Sequence, residues 1–307
     1  MQDAAPTRRS ESEPACIHLR LPSPWADYEL IDTGDGQKLE RFGRYQLIRP
    51  ETQAIWSPAL PSSAWEQADA LFQRSRGEDG PGTWVQRRQV PEQWSLQHDG
   101  LAFWVRLTPF RHTGVFPEHS AHWPWMRKQL ARATRTPSVL VLFGYTGLQT
   151  LVAAQMGAQV CHVDASRPAT RWAQANQKQA GLEHCSIRWI VDDVGKFVQR
   201  EIRRGSRYDM ILLDPPVFGR GPKGEIWRLH ESLQWLMHTC VSLLSEQPLG
   251  LLMHTYATNL SSLTLHNVLA TTMQPYGGTI TAGELVLTDT AARRPLSQAA
   301  YGCWSRD

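Results

Sequence analysis

Residues 211–221 read "ILLDPPVFGRG": an apolar run, an aspartate, two prolines, an aromatic and then a glycine-rich loop. Adjacent prolines remove two backbone donors and fix two φ angles, so no strand ladder continues through them. What remains is a stiff shelf whose carbonyls point outward without competing N–H groups. Asp214 and the Pro215 carbonyl can accept hydrogen bonds from an exocyclic amine, and Phe218 can stack on a planar ring. Taken alone, the same residues also fit a plain Pro-Pro turn followed by a core phenylalanine.

Three further signals stand at matching places. Gly144-Tyr145-Thr146-Gly147 follows the apolar run "VLVLF" and opens a helical pattern. It has two glycines, not the three of G-x-G-x-x-G, so the nicotinamide fingerprint is absent. Asp164, in "HVDAS", lies 20 residues beyond Gly144, the spacing of a carboxylate that holds ribose hydroxyls. Asp192-Asp193 follows the next apolar run, where a carboxylate can accept from an adenine amino group. Each has a bland reading beside it: a tight turn for the glycines, helix caps for Asp164, Ser166 and Asp193. Open α/β sheets bind ligands outside the carboxyl ends of their strands. Four such signals, in order and at four strand ends, define a site.

The elements that must position these residues are legible from about residue 138 onward. Short runs rich in Val, Ile and Leu ("VLVLF", "AQVCHV", "IRWIV", "YDMILL", "LGLLMH") alternate with helical stretches such as "RPATRWAQANQKQAG" and "VGKFVQREIRRG". Continuous apolar strands between helices predict a parallel sheet covered on both faces. At the end, "TITAGELVLTDT" and "AAYGCWS" have no helix between them, so the last strand should run antiparallel to its neighbour. Arg293 and Arg294, in their connection, should share the face that carries the site.

The first third has another texture. Gly34-Asp35-Gly36 and Asp99-Gly100 each sit between strand-like runs, a hairpin signal. The division expected is a flexible tail over 1–24, a β-rich N-terminal domain over 25–110 and an α/β domain over 111–307. Eight of the thirteen tryptophans precede residue 126. They can pack a β-rich core or form a stacking surface for bases. The net charge of +3 permits a polyanionic partner without arguing for one. No apolar run approaches the roughly 18 residues of a membrane span. The start carries acids among its arginines and lacks a signal core. Cys16, Cys161, Cys185, Cys240 and Cys303 are scattered without metal-like spacing, which suggests reduced thiols in a cytoplasm.

With its "F-x-Y-T-G" first loop and "D-P-P-x-F" fourth motif, the chain resembles class I S-adenosylmethionine-dependent methyltransferases over roughly residues 110 to 307. Within that class it is similar to bacterial large-subunit rRNA base methyltransferases. The resemblance implies a Rossmann-like sheet of seven strands with an antiparallel last strand, and S-adenosylmethionine as cofactor. It implies that Phe143, Gly144, Tyr145, Thr146 and Gly147 wrap the methionine part. Asp164, with Ala165 and Ser166, would hold the ribose, and Asp193 with Val194 would face the adenine. The segment "HTGVFPEH", residues 112–119, is similar to one that closes over the cofactor and includes Phe116. Its counterpart carries Asp-Gln where this chain has Glu118-His119.

Two departures bear on the substrate. The small RNA-binding module of the PUA type that begins those rRNA enzymes is not recognisable in residues 1 to 110. Methylation of cytosine carbon-5 needs a thiolate, carried by the relatives just after the fifth strand, where this chain reads "LLMHTYATNL". Cys240 falls in the preceding helical pattern and reads as a buried apolar residue. The expectation is therefore a methyltransferase acting on an RNA base at an amino nitrogen, with Asp214, Pro215 and Phe218 at the reacting centre and RNA as partner. The rival readings are a methyltransferase for a small planar molecule or protein side chain, and a non-catalytic cofactor-binding module.

Overall fold

The computed structural model describes residues 16–74, 82–256 and 258–306. The apolar runs form one eight-stranded sheet, in the order Ile17–Arg20, Thr279–Thr288, Pro295–Ser305, Gly250–Tyr256, Met210–Leu213, Ser138–Leu142, Gln159–Asp164, Ile187–Val191. Pro295–Ser305 is antiparallel to both neighbours, as the missing helix requires, and every other pair is parallel. The last seven strands in chain order are the seven expected. The connection reverses direction between Ser138–Leu142 and Met210–Leu213, and a crevice opens at such a switch point.

The eighth strand corrects the reading of residues 1–24 as a tail. Ile17–Arg20 pairs in parallel with Thr279–Thr288 and takes up backbone groups that the sheet edge would otherwise leave open. Its partner is shaped for it: a Cβ on Gly283 would stand 1.7 Å from the His18 carbonyl oxygen. Four residues beside prolines are too short to signal a strand. Residues 1–15 of the expected tail lie outside the described residues.

Alternate side chains of the central strands enter two cores. Val139, Val141 and Leu212 join one cluster; Leu140, Leu142, Ile211 and Leu213 join the other, packed by Leu233 and Leu236 of the helix Leu229–Val241. This is the two-sided cover that continuous apolar strands predict. The first cluster also contains Trp25, Phe42, Leu96, Phe103 and Trp123, so the N-terminal part shares its core with one face of the sheet.

That N-terminal part is β-rich. Five strands form a sheet in the order Tyr28–Gly34, Gln37–Phe42, Tyr45–Pro50, Ala70–Arg74, Gly82–Gln86, and Trp94–His98 pairs with Leu101–Val105. Both hairpin turns occur as read, with positive φ at Asp35, Gly36, Asp99 and Gly100. All eight early tryptophans are buried or half-buried, which favours packing over an open stacking surface.

Arg294 does not reach toward the site. Its guanidinium donates to Asp289 at 3.2 Å and Asp32 at 3.1 Å and lies over the Trp56 ring. Backbone N–H groups of Thr290 and Ala291 donate to the Leu30 and Ile31 carbonyls. The loop after Thr279–Thr288 thus fastens the N-terminal sheet. No helix among the described residues is long and apolar enough to cross a membrane.

Candidate active site

The loop after Ser138–Leu142 is built tightly. Phe143 and Tyr145 adopt φ of 56° and 47°, unusual for side chains of that size. Gly144 between them has no room for a side chain, because a Cβ would meet the His162 ring at 2.4 Å. His162 is fully buried, accepts or donates with Thr150 Oγ1 at 2.9 Å, and burial lowers its pKa to about 3. The neighbouring segment joins this loop: Thr146 Oγ1 donates to the Gly114 carbonyl at 2.6 Å. Buried Asn176 donates to the Thr146 carbonyl and accepts from the Trp104 N–H.

The next two loops converge on the first. Asp164 Oδ2 accepts from the Tyr145 N–H at 2.8 Å and Oδ1 from the Ser166 N–H at 2.7 Å. Burial pushes the Asp164 carboxyl upward in pKa against those two donors. The capping readings hold as well: Ser166 caps Arg167–Gln179, and Asp193 Oδ1 caps Val194–Arg203 by accepting from the Lys196 N–H at 2.9 Å. A carboxylate offers about four acceptor positions, so both acids keep capacity for further donors. Asp192 is held by Arg200.

After Met210–Leu213, Asp214 turns into the crevice. Its side chain is 22% exposed, and burial of the rest lifts its pKa to about 7. The Pro216 carbonyl accepts from Trp227 Nε1 at 2.6 Å. The Pro215 carbonyl accepts no hydrogen bond among the described residues. His119 lies 3.8 Å from Asp214, between the rings of Phe116 and His254. Burial lowers the pKa of both His119 and His254.

These loops enclose a cleft of about 370 Å³. Of the expected residues, Phe116, Phe143, Tyr145, Asp164, Ala165, Ser166, Asp193, Val194, Asp214 and Pro215 line it. Gly144 and Thr146 instead line a pocket of about 40 Å³ that shares Phe116, Phe143, Tyr145 and Asp214 with the cleft. Gly147 caps the helix Leu148–Gln155 and lines neither. Phe218 is 53% exposed and stands outside the lining of both.

His112, in the segment expected to close over the cofactor, completes the aromatic walls together with Trp227 and Tyr256, which have no site role in the sequence reading. Tyr256 ends the strand Gly250–Tyr256, so the strand-end rule alone could have found it. Trp227 comes from a short hairpin that no local pattern announced.

Residues 43–241 match the family described as S-adenosylmethionine-dependent methyltransferase. The chain belongs to that family. The match begins inside the N-terminal β-rich part. This methyltransferase has the fold of a crystal structure of an S-adenosylmethionine-dependent methyltransferase from Agrobacterium tumefaciens, with a TM-score of 0.91 and 44% identity over 96% of each chain. It is 27% identical over 244 residues to "Ribosomal RNA large subunit methyltransferase K" of Neisseria meningitidis, covering 77% of this chain and 67% of that one. It is 33% identical over 144 residues to "Ribosomal RNA large subunit methyltransferase K/L" of Syntrophotalea carbinolica, covering 47% of this chain and 19% of that one. The methyltransferase therefore matches about a fifth of the second relative's length.

The donor set fits the family's cofactor. Acceptor capacity remains on Asp164 for hydroxyls and on Asp193 for an amino group, beside the small apolar surfaces of Ala165 and Val194. The five cysteines are absent from the lining, and Cys240 is buried with its thiol pushed up to about 12.

Proposed function

We propose that this methyltransferase modifies an RNA base, in rRNA and at an exocyclic amino nitrogen, in the cytoplasm. The observation that carries the reading is the position of Asp214 and Pro215, with Asp214 bordering both the cleft and the smaller pocket. The two relatives named as large-subunit ribosomal RNA methyltransferases support the substrate class. When bound, S-adenosylmethionine supplies an electrophilic methyl group on a sulfonium.

The residues divide the remaining work. Phe116 and the loop of Phe143, Gly144, Tyr145, Thr146 and Gly147 hold the methionine part. Asp164 with Ala165 and Ser166 receives the ribose hydroxyls, and Asp193 with Val194 receives the adenine. Asp214 and the Pro215 carbonyl accept the two N–H bonds of the target amine, which leaves its lone pair directed away from the shelf. The bond from Trp227 to Pro216 holds that shelf still. Positioning of this kind supplies on the order of 7–11 kcal/mol of a barrier. Phe218, at the rim, offers a ring for stacking.

Nucleoside mass spectrometry of rRNA from a deletion strain tests the reading. One methyl group on an exocyclic nitrogen should be missing, and complementation with the wild-type chain should restore it. A missing methyl on carbon or ribose oxygen would reject the amine shelf. A full complement of rRNA methyl groups would reject the rRNA substrate.

A further inference from the structure

The loop after the shelf is a small hairpin, Phe218–Arg220 against Ile226–Arg228, with Phe218 opposite Arg228 and Arg220 opposite Ile226. Strand side chains alternate between faces. Those four residues therefore share one face, and Gly219 and Trp227 share the other. The inner face is fastened to the molecule. Trp227 donates to the Pro216 carbonyl, lies 5.1 Å from the Phe143 ring and is 8% exposed.

Nothing in the described chain covers the outer face. Phe218 is 53% and Ile226 57% exposed. Among the described residues, the Arg228 side chain pairs only with Glu231, at 3.6 Å and with both side chains more than half exposed. Arg220 makes no side-chain hydrogen bond or ion pair among the described residues. Two apolar groups on one diagonal and two guanidiniums on the other form a surface for something planar, apolar and negatively charged. A nucleotide strand has that chemistry: bases stack on exposed rings, and guanidiniums bind phosphates. The face also adjoins the cleft, because Arg220 is among the residues that line it.

We propose that the outer face of this hairpin is the docking surface for the RNA nucleotides that flank the one entering the cleft. The proposal rests on the RNA reading above. Phe218 and Ile226 receive bases, and Arg220 and Arg228 receive the phosphates between them. Trp227 anchors the inner face before binding, so docking need not order that side of the hairpin.

The test is fluorescence anisotropy with a labelled mixed-sequence single-stranded RNA of about 20 nucleotides, long enough to cross the site. Wild type is compared with the double variant Ile226→Ala, Arg228→Glu. Both positions are exposed, and a glutamate beside the N-terminus of Leu229–Val241 suits the helix dipole. S-adenosylhomocysteine titration should show equal affinity in both proteins, which reports an intact fold. RNA affinity should fall about tenfold or more, and the slope of log affinity against log salt should become shallower by about one or more. If wild type binds RNA and the double variant matches its affinity and slope, the hairpin proposal is overturned and the RNA reading stands. If wild type binds no RNA, the RNA reading falls and takes the hairpin with it.

Discussion

His119 Nε2 stands 3.8 Å from Asp214 Oδ2 in the smaller pocket beside the cleft, and burial drives both groups toward their neutral forms. An imidazolium–carboxylate pair is therefore disfavoured on both sides. In the proposed reaction, ionisation of Asp214, whose pKa burial lifts to about 7, would control the shelf. An ionised carboxylate is the better acceptor for an amine. The ratio kcat/KM should rise about tenfold per pH unit below 7 and level off above it. Asp214→Asn should lower kcat by about 10²-fold and abolish that pH dependence. A wild-type profile flat from pH 5 to 8 would contradict this.

The same carboxyl links stability to pH. Its ordinary pKa of 3.8 rises to about 7 on folding, so the folded state holds its proton more tightly than the unfolded chain. Stability from this group is present in full below the unfolded pKa and is lost as pH rises toward 7. Asp214→Asn removes the loss. Urea melts should show the variant gaining on wild type between pH 4 and pH 8. The gain should be on the order of 2 kcal/mol, less than the full shift implies because the carboxyl borders an open cleft. An equal difference at both pH values would rule out the linkage.

Asp164→Ala should weaken S-adenosylhomocysteine binding by about 1–3 kcal/mol in a calorimetric titration. Part of the loss comes from the acceptors taken away from the Tyr145 and Ser166 N–H groups. Undiminished affinity would remove Asp164 from the cofactor site.

Gly144→Ala should destabilise the protein by about 1–3 kcal/mol, because the new methyl meets a fully buried His162 ring. Adding His162→Ala opens the space, and the double variant should lose less than the sum of the singles. Additive losses in chemical denaturation would show that the contact is not what fixes glycine at this position.

No cysteine should form a covalent adduct with substrate. Burial pushes the thiols of Cys240 and Cys303 up to about 12, and no cysteine lines the cleft or the pocket beside it. Trapping with RNA containing 5-fluorocytosine should leave free protein. A stable adduct on any of the five would reverse this conclusion.

The parallel sheet, its antiparallel end and most of the residues that line the cleft are legible in the sequence. Those features are local. An apolar run of four to seven residues declares a strand buried on both faces, and the residue after it declares a loop at a known end of the sheet. Asp164, Asp193 and Asp214 could be placed in one site because three parallel strands must deliver their carboxyl ends to the same side.

Features that depend on contacts between distant residues are visible only in the folded chain. Pairing of Ile17–Arg20 with Thr279–Thr288 brings together segments about 265 residues apart in sequence, and a four-residue strand gains nothing until that edge exists. Arg294 looked available to the site because its loop leaves the correct end of the sheet. Asp32 and Asp289 claim it instead, through bonds no local pattern encodes. Trp227 enters the cleft wall, and Phe218 faces outward, because a three-residue ladder sets the parity of the hairpin. Shifting that register by one residue would exchange the two faces, and only the folded chain fixes it.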